Sequence, residues 1–224
     1  MPSFEGLMLA LLLVLLVGGS LGLWATLRRS PAGTVQQALE QGRFKAALEA
    51  ARTDARAGRD DLFAAAVAAR HLLRLDRARE ILARILAGDP ADGEAWLEAG
   101  LVEAYGGDPG AARRAFAKVE SRRSDLLESL NLHRAWLALR TGDRRGARRL
   151  FDEVEAPLET KLRSDIGGGD PAFAEWFLQA AALWEAFGEE EKAAWAWREG
   201  RAAAPESRLG EIVGSHAEAP PPLQ

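Results

Sequence analysis

Apolar positions along this chain follow two patterns. From Leu7 to Leu27 they run without interruption, LMLALLLVLLVGGSLGLWATL, with no charged residue in 21 positions. After that they recur every three or four residues, the spacing that gathers side chains on one face of an α-helix. In AWLEAGLVEAYGGDPGAARRAFAKVE, residues 95–120, Trp96, Ala99 and Gly100 belong to a first amphipathic helix. GGD then breaks the pattern, and Ala112, Phe116 and Val119 belong to a second. Small residues at a helix crossing let two backbones approach closely, so the stretch predicts a packed helical hairpin.

The second-helix pattern recurs. Leu75, Ala78, Leu82, Ile85 and Pro90 precede it; Gly142, Ala147, Phe151 and Val154 follow; Gly188, Ala193, Trp197, Gly200 and Pro205 come last. A poorer first copy is Gly42, Phe44, Ala47 and Ala51. The central alanines Ala47, Ala78, Ala112, Ala147 and Ala193 are separated by 31, 34, 35 and 46 residues. A two-helix unit with a period near 34 resembles the tetratricopeptide repeat. The resemblance covers about residues 31–206, in five copies of unequal quality, the third being the best match. The 46-residue spacing departs from it: an insertion near 157–170, including IGGGDP, is expected to break the stack.

The uninterrupted run at 7–27 is long enough to cross a bilayer as a helix. Glu5 lies before it and Arg28-Arg29 follow it at once, a charge order that suits a single-pass anchor with the remainder on the cytoplasmic side. The competing reading is a cleaved signal peptide with Gly18-Gly19-Ser20 as the cleavage region. The expected architecture is all-α: a transmembrane anchor at 1–27, a tetratricopeptide-type helical-hairpin solenoid at 28–206, and a capping turn with a proline-rich tail at 207–224.

In arrays of this family the first helix of each repeat faces an inner groove. The resemblance thus assigns to the groove Phe63, Val67, Arg70 and His71; Leu97, Leu101 and Tyr105; Leu132, Trp136, Leu139 and Arg140; and Leu178. Chaperone-binding members of the family carry Lys and Asn at these positions to clamp a terminal carboxylate. Phe63, Val67, Leu97, Leu101, Leu132 and Trp136 stand there instead, so an apolar or amphipathic peptide of a protein partner is the expected occupant, with Trp136 and Tyr105 as anchors. Trp197, by contrast, is expected to pack between the two helices of its own repeat.

Composition adds exclusions. With no cysteine there is no disulfide, thiolate metal site or cysteine nucleophile. His71, His133 and His216 stand apart, at no metal-ligand spacing, and are expected on the surface or in the groove. No catalytic constellation, cofactor or metal site is implied. Charge is segregated: Arg113–Arg149 has a net charge of +7 and Asp170–Glu211 one of −5. Arg145, Arg148 and Arg149 form a basic outward face. No aromatic residues interleave with these arginines, which makes nucleic acid a poor fit. These features point to an inner-membrane scaffold, in layout like the anchored tetratricopeptide regulators of bacterial envelope assembly. The alternative is an exported assembly factor for secretion, pili or cytochrome maturation.

Overall fold

The structure, a computed structural model, describes residues 32–53, 57–120, 126–164 and 171–214. The expected anchor, the triple glycine at 167–169, His216 and the proline-rich tail lie outside these residues. Among the described residues there are twelve helices and no strand, and no helix is long and apolar enough to cross a membrane.

Ten helices form five antiparallel hairpins: α1 (Ala32–Glu40) with α2 (Phe44–Thr53), α3 (Arg59–His71) with α4 (Leu75–Gly88), α5 (Gly93–Gly106) with α6 (Pro109–Glu120), α7 (Leu127–Arg140) with α8 (Arg144–Asp152), and α10 (Pro171–Phe187) with α11 (Glu190–Ala203). The turn chemistry is the same each time. A residue with positive φ ends the first helix: Gly42 (65°), Leu73 (55°), Gly107 (83°), Gly142 (81°) and Gly188 (86°). Each stands five residues before one of the central alanines, so the left-handed turn recurs at the same intervals as the packing pattern. Twice the turn continues into an aspartate cap. Asp108 accepts from the Ala111 N–H at 2.8 Å and Asp143 from the Gly146 N–H at 2.8 Å, satisfying donors left free at the helix start.

Within the hairpins, small residues meet large ones as the pattern requires. A Cβ added at Gly100 would overlap the Phe116 ring, and one at Gly200 would lie 2.9 Å from the Phe177 Cβ. Ala47, Ala78, Ala112, Ala147 and Ala193 are all buried, with Phe44, Phe116 and Phe151 beside them in the core.

The insertion is partly a helix. α9 (Glu155–Ser164) buries Leu158 and Leu162 against α8 and α10. Its Glu155 accepts from Trp184 Nε1 at 2.9 Å, and Lys192 of α11 pairs with both Glu155 and Glu159. With α9 wedged between the fourth and fifth hairpins, α10 does not continue the stack outward. It runs back across the inner side of the array, packing on α7, α8 and α1. α12 (Leu209–Val213) covers α10, burying Leu209 and Val213.

The last hairpin thereby meets the first. Pro171 and the Ala203 carbonyl lie against Gly42. The Lys45 N–H donates to Glu206 at 3.1 Å, and the Arg208 N–H donates to the His71 carbonyl at 2.8 Å. Ala174, Ala203 and Ala204 belong to the same apolar cluster as Val35, Phe44 and Ala47.

Candidate functional site: the inner face and its ionic network

The residues assigned to an open groove are on the inner side, but most are covered. Leu101, Tyr105, Leu132, Trp136, Arg70 and His71 are buried, and Trp136 is fully so. Leu178 is not part of the groove wall at all: it is on α10, the helix that fills the groove. The expectation of an accessible central groove is therefore corrected, and the cause is the inward turn of α10 after α9. Trp136 is core rather than a groove anchor, whereas Trp197 does reach the other helix of its own hairpin, its Nε1 donating to Glu185 of α10 at 3.1 Å, but stays only partly buried.

Four of the assigned residues keep some exposure elsewhere along the inner side. Phe63 and Val67 lie on α3, Leu97 on α5, and Leu139 on α7, all half-buried. Arg59 ties the first turns of α3 and α5 together, bonding Asp92 at 2.8 and 2.9 Å and Glu94 at 2.7 Å. Beside them a surface depression of about 600 Å³ is lined by Gln36, Gly58, Arg59, Asp60, Asp61 and Phe63. Arg140 is also half-buried, its Nη1 donating to the Ala104 carbonyl at 2.8 Å and its guanidinium 5.2 Å from the Trp136 ring centroid.

Where α10 crosses α3, α5 and α7, polar side chains are buried together. Arg70 bonds Glu98 through Nε at 2.6 Å and Nη2 at 3.1 Å. Its Nη1 faces Glu175 Oε2 at 2.8 Å, an ion pair lying outside hydrogen-bond geometry. Gln179 Nε2 donates to Glu175 at 3.0 Å and to the Tyr105 hydroxyl at 3.2 Å. The amide oxygen of Gln179 is then its accepting end, so His133 Nδ1, 2.7 Å away, carries a proton and donates to it. His133 Nε2 is left to accept from Ser129 Oγ at 3.0 Å. His71 stacks on Phe44 with centroids 4.2 Å apart and meets Ser207 Oγ at 3.0 Å.

Burial sets the electrostatics. It pushes His71 down to about 3, with the Arg70 charge adding to the effect, and it lowers His133 against the opposing pull of Glu175 and Gln179. Both imidazoles are neutral near pH 7. Burial raises Glu98 even beside Arg70; it acts on Glu175 in the same direction, but there the Arg70 charge leads the causes that outweigh it and hold the carboxyl below its ordinary value. Burial, aided by Glu175, pushes the Tyr105 phenol well up. One guanidinium is thus shared by two carboxylates. Glu98 is the one that takes a proton first.

His71 and His133, expected on the surface or in an open groove, are instead core residues, and they share that core with Glu98, Glu175 and Gln179, which the repeat pattern does not single out. A signal for two of them was available. In PAFAEWFLQAAALWEAF, Glu175 and Gln179 stand four residues apart inside an otherwise apolar run, where polar groups must find partners. Of the basic face, Arg145 and Arg149 are exposed, while Arg148 is half-buried and pairs with Asp152 at 2.6 Å and Glu155 at 3.2 Å. Comparison with known families, curated proteins and solved structures finds no match to this chain.

Proposed function

We propose that this chain is a membrane-tethered interaction scaffold of the tetratricopeptide type, holding an apolar or amphipathic segment of a partner protein. The recurrence of the left-handed turn at the spacing of the central alanines supports the repeat reading. The observation that carries the binding reading is the set Phe63, Val67 and Leu97, apolar inner-side positions that keep exposure where α10 covers the rest. The partner segment docks at the amino-terminal ends of α3 and α5, beside the depression at Phe63, and leaves the central groove to α10. Arg28-Arg29 keep the body on the cytoplasmic side, in a role such as envelope biogenesis or membrane-complex assembly.

The test is crosslinking in membranes with the full chain. Phe63→Glu and Leu97→Glu should abolish partner capture while leaving the circular-dichroism melt within a few degrees. Capture undiminished in both variants would exclude this site. A reporter active only outside the cytoplasm, fused after Gln224, should stay silent; activity would move the body across the membrane.

A further inference from the structure

The outer helices α6 and α8 repeat an arginine doublet. Arg113-Arg114 and Arg148-Arg149 are 35 residues apart, at the same register relative to the buried Ala112 and Ala147. The two helices form one surface, because Arg113 Nη2 reaches Thr141 Oγ1 at 3.3 Å, at the turn that opens α8. The acids of this surface whose side chains are described are already engaged. Asp108 and Asp143 cap their helices, Asp152 and Glu155 hold Arg148, and Glu153 accepts from Asn131 at 3.0 Å. Arg144 is drawn the other way, onto the Ala186 carbonyl and the Phe187 ring. Arg114, Arg145 and Arg149 remain, exposed and without an ion pair to any described residue. Three cationic heads of one sign, with the neighbouring acids taken up, form a site for an anionic surface rather than a fold-stabilising network.

We propose that this face rests on an anionic lipid leaflet and sets the orientation of the body at the membrane. The inference rests on the tether in the proposed function. α1 starts at Ala32, three residues after Arg29, so the body is confined within a short linker's reach of the bilayer. Confinement makes the second contact effectively intramolecular, and a weak electrostatic attraction then suffices to choose an orientation. Each surface charge contributes about a fivefold preference, and the attraction is screened by salt. The outer helix α11 carries Glu190 and Glu191 in its first turn, charges that an anionic leaflet repels.

The lack of cysteine makes a clean experiment possible. Full-length chain carrying Ala117→Cys, exposed on α6, or Ala202→Cys, exposed on α11, is labelled with a fluorophore and reconstituted into vesicles. The vesicles are phosphatidylcholine alone or with phosphatidylglycerol, and both contain a headgroup quencher. The label at 117 should be quenched in the anionic vesicles only, and the quenching should disappear in high salt. The triple variant Arg114→Glu, Arg145→Glu, Arg149→Glu should reduce the quenched fraction more than tenfold, with an unchanged melt. The label at 202 should stay bright throughout. Quenching at 117 that is equal in neutral vesicles, or absent from anionic ones, overturns the assignment. An unquenched label together with crosslinks from this face to an acidic protein reassigns it to a protein partner and overturns it as well. Carbonate-resistant flotation separates the two levels. A chain that does not float loses both the tether and this inference, whereas one that floats without quenching loses only the inference.

Discussion

At Trp136 the ring and its N–H act in opposite directions. The ring is fully buried and packs on Tyr105 with centroids 4.7 Å apart, but Nε1 has no hydrogen-bond partner among the described residues. An unsatisfied buried donor costs about 1–3 kcal/mol, whereas truncating a buried Trp to Ala costs about 3–5 kcal/mol. Trp136→Ala should therefore destabilise the protein strongly in urea titrations, and more than Trp197→Ala, whose ring is partly exposed. Trp136→Phe keeps most of the packing and removes the orphan donor, so its cost should stay below about 1.5 kcal/mol. A Phe variant as damaged as the Ala variant would mean that the N–H is bonded. The turn glycines allow a cleaner test. At Gly142 a Cβ would meet nothing within 4 Å, so Gly142→Ala isolates the left-handed backbone cost of about 1–2 kcal/mol. Leu73 bears that cost already at the equivalent turn.

At the scale of the helix, α10 is held by charge arithmetic as well as by its apolar face. Arg70→Met leaves two buried carboxylates without a counter-ion and should cost about 3–5 kcal/mol at pH 7. Glu98→Gln removes the surplus negative charge while keeping a hydrogen-bonding group, and should lie within about 1 kcal/mol of the parent. Equal damage from both would refute the shared-guanidinium reading. pH gives an independent check. His71 titrates at about 3 when folded against 6.5 unfolded, so its contribution is complete above 6.5 and is lost as pH falls toward 3, about 2 kcal/mol by pH 5. His133 acts in the same direction, whereas raised Glu98 acts in the opposite one, gaining as pH falls. Urea midpoints should drop between pH 7 and 5, and His71→Phe, which keeps the stack on Phe44, should shrink that drop; a flat profile in the parent would contradict buried neutral imidazoles.

The helices themselves, their hairpin pairing and the turns at Gly107-Asp108, Gly142-Asp143 and Gly188-Glu189 were legible in the sequence, because period and punctuation are local properties. The path of α10 was not. Whether a helix with apolar residues on all sides extends a stack or turns into it depends on the angle imposed by α9, and no periodicity encodes that angle. Trp136 and Tyr105 looked like anchors for a foreign peptide for the same reason: a groove face and a core face carry the same residues, and only the neighbour distinguishes them.

Across the whole molecule, the contacts between the last hairpin and the first change how damage should spread. In an open array each unit feels only its neighbours, so a lesion in α11 would fray the carboxyl end alone. Here α11 ends against the α1–α2 turn, and Arg208 and Ser207 bond His71. Gly200→Val, which drives a side chain into Phe177 and the Ala174 carbonyl, should lower amide-exchange protection in α1 and α2 as well as in α11, while α5 and α6 keep more of theirs. Loss confined to α10–α12 would show that the seam carries little energy. The seam also bears on how such a chain can evolve. An open row of hairpins lengthens by duplication, since a new copy merely moves the end outward. A row whose terminal units bond one another has a fixed circumference. A further hairpin inserted into the row would part Glu206 from Lys45 and Ser207 from His71, so such a chain accepts substitution on its rim more readily than a change in the number of its hairpins.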